Sequence, residues 1–301
     1  MTRETLGSPG HPGPQHPMAE CVWPARAKLG EGPCWDRRSE QLFWVDLKAG
    51  RLHAYQRVEG TRESWNLPDR ICSLDLPPSG WSAPEGLRGA HFIGCGDFGF
   101  GWIGVTRDSV EVVPICNPRR EQPNNRFNDG RSGPDGTYWA GTMDDAEELA
   151  SGALYSFRAN GEFTVLDDGY RVPNGPAFSP DGAIVYHADS ALQVIYAFEL
   201  GPDGGIDGKR PMVRFAEGEG YPDGMTTDRE GNIWVALWDG ARVEQVSPKG
   251  ERMASIPVPT ARPTSCVFAD PECTEMYVTS ASIGLPEDDG QAGALFRARL
   301  G

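Results

Sequence analysis

Short runs of β-branched and aromatic residues alternate with polar clusters that end in glycine along nearly the whole chain. Apolar residues three and four apart would mark amphipathic helices, but Gly and Pro recur too often for that spacing to build. Four phrases repeat instead. They begin at Glu31 (EGPCWDRRSEQLFW), Asn128 (NDGRSGPDGTYW), Asn174 (NGPAFSPDGAIVY) and Asp223 (DGMTTDREGNIW). In three of them a glycine follows eight residues after the polar anchor (Gly136, Gly182, Gly231), and Ser39 holds that place in the first. An aromatic residue comes eleven to thirteen positions after each anchor: Trp44, Trp139, Tyr186 and Trp234. Each phrase predicts a strand, a tight turn closed by a residue free to take positive φ, and a second strand.

The anchors are 97, 46 and 49 residues apart, so the first gap holds two periods and predicts a weaker copy near residues 69–81. A sixth copy lies at Pro263–Tyr277, with Thr264 near the anchor position. A third strand recurs as GRLHAY (50–55), GALYSF (152–157), VIYAFEL (194–200), ARVEQV (241–246) and GALFRARL (293–300). A period in the forties made of short strands is the signature of a propeller blade. The expectation is an all-β, six-bladed β-propeller over residues 19–301, preceded by a disordered tail at 1–18 with Met18 as an alternative start. The last third strand nearly reaches Gly301, so Glu20–Pro24 is expected to supply the fourth strand of blade six and close the ring.

Composition narrows the function. The net charge is −15, which repels phosphate backbones and argues against nucleic acid as a partner. No apolar run approaches the ~20 residues that span a bilayer, and no apolar leader is present, which argues against a membrane. Seven scattered cysteines without a C-x-x-C pair fit a reducing, cytoplasmic compartment. Cys34, Cys72 and Cys266 fall on inner strands, where a small buried thiol is expected. A monomer or weak homo-oligomer is expected.

Residues at one position of a radial repeat gather around one axis. Glu31, Asn174 and Asp223 would then offer two carboxylates and an amide to a hard cation such as Ca2+, Mg2+ or Mn2+, with coordination positions left for water and substrate. Any one of these residues is explained by turn chemistry alone, but turn chemistry does not require their common spacing. Asn128 shares the anchor position. Arg126, two residues earlier, points the same way in an extended segment, either to donate to a polyol or to pair with an acidic loop. Asp129 is one step off that face and is expected to bond backbone N–H groups. The run at 143–149 (MDDAEEL) puts four carboxylates just after a strand, and Glu147 or Glu148 is the one expected over the site. No G-x-S-x-G elbow supports a serine hydrolase.

The phrases LGEGPCWD, NNRFNDGRSGPDGTYWAGTM, VPNGPAFSPDG and YPDGMTTDREGNIWVAL resemble those of the gluconolactonase, regucalcin (senescence marker protein) and luciferin-regenerating enzyme family, from about Cys21 to Leu300. The resemblance implies a six-bladed propeller with one divalent cation (Ca, Mn, Zn, Mg or Fe) held by Glu31, Asn174 and Asp223. It further implies contacts to a sugar or an ordered water from Arg126 and Asn128. Many members use an acidic residue after the GTM phrase. Here the spacing is shifted and Ala146 falls near that place, with Glu147 the nearest candidate. The implied activity is hydrolysis of a sugar lactone to its aldonic acid, with Asp223 as general base. A non-catalytic calcium-binding regulator of the regucalcin type is the alternative.

Overall fold

The computed structural model describes residues 16–122 and 124–300. Six four-stranded antiparallel sheets account for every strand among the described residues. No α-helix occurs among them, and the helical content is two short 3₁₀ turns. The inner strands of blades one to six are Gly30–Asp36, Ile71–Asp75, Asn125–Ser132, Pro173–Phe178, Tyr221–Thr227 and Pro263–Phe268. Each touches the inner strand of the next blade, and the sixth touches the first, so they form a closed ring around a central channel.

The residue pattern explains the layering. Second strands are buried on both faces because a blade lies against each side: Ile233–Trp238 is continuously apolar, and Glu275–Ser280 is almost as fully buried. Outermost strands face solvent on one side, and Arg62–Asn66 alternates between exposed and half-buried accordingly. The core is therefore divided among blade interfaces. Trp44 packs in the cluster between blades six and one, Trp139 between three and four, and Trp234 between five and six. Cys34, Cys72 and Cys266 are all buried.

Ring closure follows the expected route. Glu20–Trp23 pairs antiparallel with Leu295–Arg299, with Glu20 opposite Arg297 and Cys21 opposite Phe296. An ion pair between Glu20 and Arg297 ties the two ends of the chain together. Residues 1–15 of the expected tail lie outside the described residues. His16 and Ala19 bond to blade five through Ser255 O (2.8 Å) and Pro257 O (2.9 Å), so the chain docks before the closing strand begins.

One buried group gives the fold a pH dependence. His187, on the second strand of blade four, is fully buried, and neither ring nitrogen has a hydrogen-bond partner. Its ring stands edge-on to Tyr170 at 4.7 Å. Burial lowers its pKa from 6.5 to about 3; Asp167 acts in the opposite direction and Lys209 in the same one. The folded state thus binds fewer protons than the unfolded state, and stability present above pH 6.5 is lost as the pH falls toward 3. Between pH 7 and 5 the loss through His187 is about 2 kcal/mol. His187→Phe should flatten that part of the stability–pH curve in urea titrations, and an unchanged slope would exclude His187 as its source.

Candidate active site at one mouth of the channel

Every inner strand carries a register break within a residue of its anchor position. A bulge re-aims side chains and is common beside functional sites. Here it turns Glu31, Asn128, Asn174 and Asp223 into one cavity of about 430 Å³, which Arg126 and Glu147 also line. The anchors lie near the N-terminal ends of their strands, so the cavity occupies one mouth of the channel. Cys72 and Thr264 hold the equivalent places in blades two and six. Both are buried, and the Thr264 hydroxyl donates to Gly30 O. Those two blades therefore close the wall and contribute no polar group to the cavity lining.

Close approach around the ring depends on small residues beside the anchors. A Cβ on Gly224 would sit 2.1 Å from Ser265 Oγ, and one on Gly32 would sit 3.3 Å from Ser73 Cα. Glycine at these two places lets the inner strands draw near enough for Asp223 and Glu31 to share a site.

The orientation of Asn174 is set by its neighbours. Ser190 Oγ donates to Pro222 O at 2.5 Å, so it accepts from Asn174 Nδ2 at 2.8 Å. The amide oxygen of Asn174 is thereby turned away from Ser190, and it accepts from Asn128 Nδ2 at 2.9 Å. Asn128 also donates to Pro173 O at 2.8 Å and accepts from Arg126 Nη1 at 2.6 Å. Asn128 thus works mainly as a bracket between Arg126 and Asn174. Ser190 is a member of the site that the repeat pattern did not reveal, because it follows the second strand of blade four and has no counterpart in the other phrases.

Glu31 and Asp223 both have pKa values pushed well up, first by burial. Next in size for Glu31 is the charge of Asp223, and for Asp223 the charge of Asp129. Asp129 itself is raised, again mainly by burial. It accepts from Gly130 N (2.8 Å) and from Gly175 N (3.0 Å) of the next blade, so it bonds backbone N–H groups as expected but also bridges blades three and four. Its charge reaches both Glu31 and Asp223. Among the described residues no group of three or more His, Cys, Asp and Glu forms a ready-made metal cage. The buried anchor donors gathered in the cavity are the carboxylates of Glu31 and Asp223 and the oriented amide oxygen of Asn174, all hard oxygens, with the Glu147 carboxylate at the cavity edge.

Arg126 reaches the cavity and pairs with the acidic loop from a buried position. It is 3% exposed and lines the cavity. It also pairs with the acidic loop, its Nε lying 3.0 Å from Asp145 Oδ1 and its Nη2 3.9 Å from Glu147 Oε1. Glu147 lines the cavity and Glu148 does not. Glu147 takes a left-handed φ of 62°, held by its N–H to Asp144 O (2.9 Å) and by Arg171 Nε to its carbonyl (3.2 Å). Arg171, Tyr221 and Trp238 stand around the cavity and carry no sequence signal of their own.

Fold and cavity define a six-bladed propeller with an acidic, oxygen-lined pocket at one end of its channel. The profile described as the SMP-30/Gluconolactonase/LRE-like region matches residues 29–282, and the chain belongs to that family. It is 30% identical over 287 residues to regucalcin of Danio rerio, covering 92% of each chain. It is 33% identical over 263 residues to the 6-deoxy-6-sulfogluconolactonase of Pseudomonas putida, covering 87% of this chain and 86% of that one. Among solved structures it is similar to a calcium-binding protein, regucalcin, from Agrobacterium tumefaciens, with a TM-score of 0.85, 26% identity and 95% of each chain covered. The family includes lactonases. No helix among the described residues is long and apolar enough to cross a membrane.

Proposed function

We propose that this chain hydrolyses a sugar lactone to the corresponding aldonic acid with one divalent cation held by Glu31, Asn174 and Asp223. The observation that carries the reading is the convergence of these residues, from blades one, four and five, with Arg126, Asn128 and Glu147 on one cavity of about 430 Å³. The donor set fits a hard cation. Glu31 and Asp223 are buried together, each raises the electrostatic cost of ionising its neighbourhood, and Asn174 presents an oxygen whose amide nitrogen is held elsewhere. A bound divalent cation would supply Lewis-acid polarisation of the lactone carbonyl.

The protein's own groups supply the rest. Asp223 takes the proton from the attacking water as its oxygen bonds to the carbonyl carbon, and the proton passes to the ring oxygen as the acyl C–O bond breaks. Arg126 donates to ring hydroxyls and, with Glu147, fixes the sugar's orientation, which lowers the entropic part of the barrier. Lactonase chemistry also accords with the 6-deoxy-6-sulfogluconolactonase relative. The regucalcin relatives support a second reading, a calcium-binding regulator without turnover.

An acidification assay separates the two. Gluconolactone, xylonolactone and arabinonolactone should each be tested with and without EDTA. The proposal expects turnover of at least one lactone that EDTA abolishes and added cation restores. Calcium binding without a metal-dependent rate on any lactone would favour the regulator.

A further inference from the structure

We infer that Arg70 is a positioning residue for Arg126, acting through a shared carboxylate on Asp145; this rests on the substrate role proposed for Arg126. Asp145 Oδ1 lies 3.0 Å from Arg126 Nε and 3.1 Å from Arg70 Nη1. Its Oδ2 accepts from the same Arg70 nitrogen at 3.3 Å. Arg70 cannot follow Asp145 if the loop moves, because its other edge is fastened. Arg70 Nε donates to both oxygens of Asp97 at 3.1 and 3.0 Å, and Arg70 Nη2 adds a third bond at 2.9 Å. Bidentate pairs of this kind fix direction as well as distance.

The need for the relay follows from burial. A guanidinium 3% exposed requires a countercharge held close, since an unpaired buried charge is costly. Asp145 is the nearest carboxylate, yet its side chain is 46% exposed and sits on a loop. Such a carboxylate would ordinarily swing and contribute little. Arg70 removes that freedom. Burial disfavours the charge on Asp145, but hydrogen bonds from Arg70 outweigh it, with Arg126 and Lys48 adding to the effect, so the carboxyl stays below its ordinary range. The other contacts of Arg126 are Nη1 to Asn128 Oδ1 and to Phe127 O, and the longer approach of Nη2 to Glu147. With the guanidinium held by its ion pair to Asp145, Nη2, 3.9 Å from Glu147 Oε1, is the nitrogen placed to donate to a ligand in the cavity.

The relay makes kinetic and spectroscopic predictions that a merely structural role does not. On a lactone turned over by the wild type, Arg70→Gln and Asp145→Asn should each raise KM about tenfold with kcat changed less than about twofold, and the double variant should be no worse than either single one. Arg70→Lys, which keeps the charge but loses the fork, should fall between. Equal losses in kcat and KM that add in the double variant would overturn the inference.

A second measurement is independent of turnover, so it stands even if no lactone is hydrolysed. The Arg126 Nε–H NMR signal, assigned with Arg126→Lys, should exchange with water at least about tenfold faster in Arg70→Gln than in the wild type, because the buried guanidinium loses the fixed ion pair that holds it in place. An unchanged exchange rate in a folded Arg70→Gln protein would sink the relay whatever the chain's activity.

Discussion

Asp223→Asn is expected to lower kcat on a sugar lactone by about 10²–10⁴-fold while leaving the fold intact. The substitution keeps the side chain's shape and one oxygen toward the cavity but removes both the negative charge and the basic site. Burial and the charge of Asp129 raise the pKa of Asp223 in the metal-free protein, so its carboxylate gains strongly there from a bound cation or a proton. Loss of the basic site should appear mainly in kcat. The metal-free variant should melt no lower than the metal-free wild type, because a buried charge beside Glu31 and Asp129 has been removed. A stopped or pH-stat assay on the best lactone, with circular dichroism melts alongside, checks both. Near-wild-type turnover would remove Asp223 from the chemistry. A collapsed melt would show that Asn at this place damages the ring.

The ring was legible because its turn chemistry repeats in the sequence. The anchor, the residue eight positions on (glycine in three copies, Ser39 in the first) and the buried aromatic after it are one strand–turn–strand unit seen four times. Blade two stayed faint for two physical reasons. Its anchor is Cys72, a small wall residue, and fourteen residues (76–89) separate its first two strands where a tight turn serves the other blades. Arg126 and Asn128 were legible as a pair because both precede or meet the bulge on an extended segment and keep one face. Asp129 was only half legible. Strict alternation turns it away from Asn128, but the register break between Phe127 and Gly130 ends that alternation, and its charge reaches the cavity carboxylates. The acidic loop could not be assigned residue by residue from spacing. Asp145 and Glu147 are aimed by a left-handed φ at Glu147 and by three arginines, Arg70, Arg126 and Arg171, from separate parts of the chain.

Saturation with a divalent cation should raise stability and permit turnover together, and EDTA should reverse both. In the metal-free protein Glu31 and Asp223 are buried side by side with Asp129 near, so their negative charges oppose folding at neutral pH. A ligand that binds the folded state at about 100 times its Kd stabilises it by about 2.7 kcal/mol. For a chain of this size that corresponds to a rise in Tm of about 4 °C. Ca2+, Mg2+ and Mn2+ should be compared by calorimetry at fixed pH and ionic strength, with a monovalent salt matched in ionic strength as control, since simple screening of a −15 chain would also stabilise it. Glu31→Gln and Asp223→Asn should each shrink the cation-dependent shift, and Asn174→Ala should do so without changing the charge of the site. That last variant separates coordination from electrostatics: screening of two carboxylates does not need the amide oxygen, whereas a bound ion held by three residues does. A Tm indifferent to every divalent cation in the wild type, or an undiminished shift in Asn174→Ala, would argue against a cation held by these three side chains.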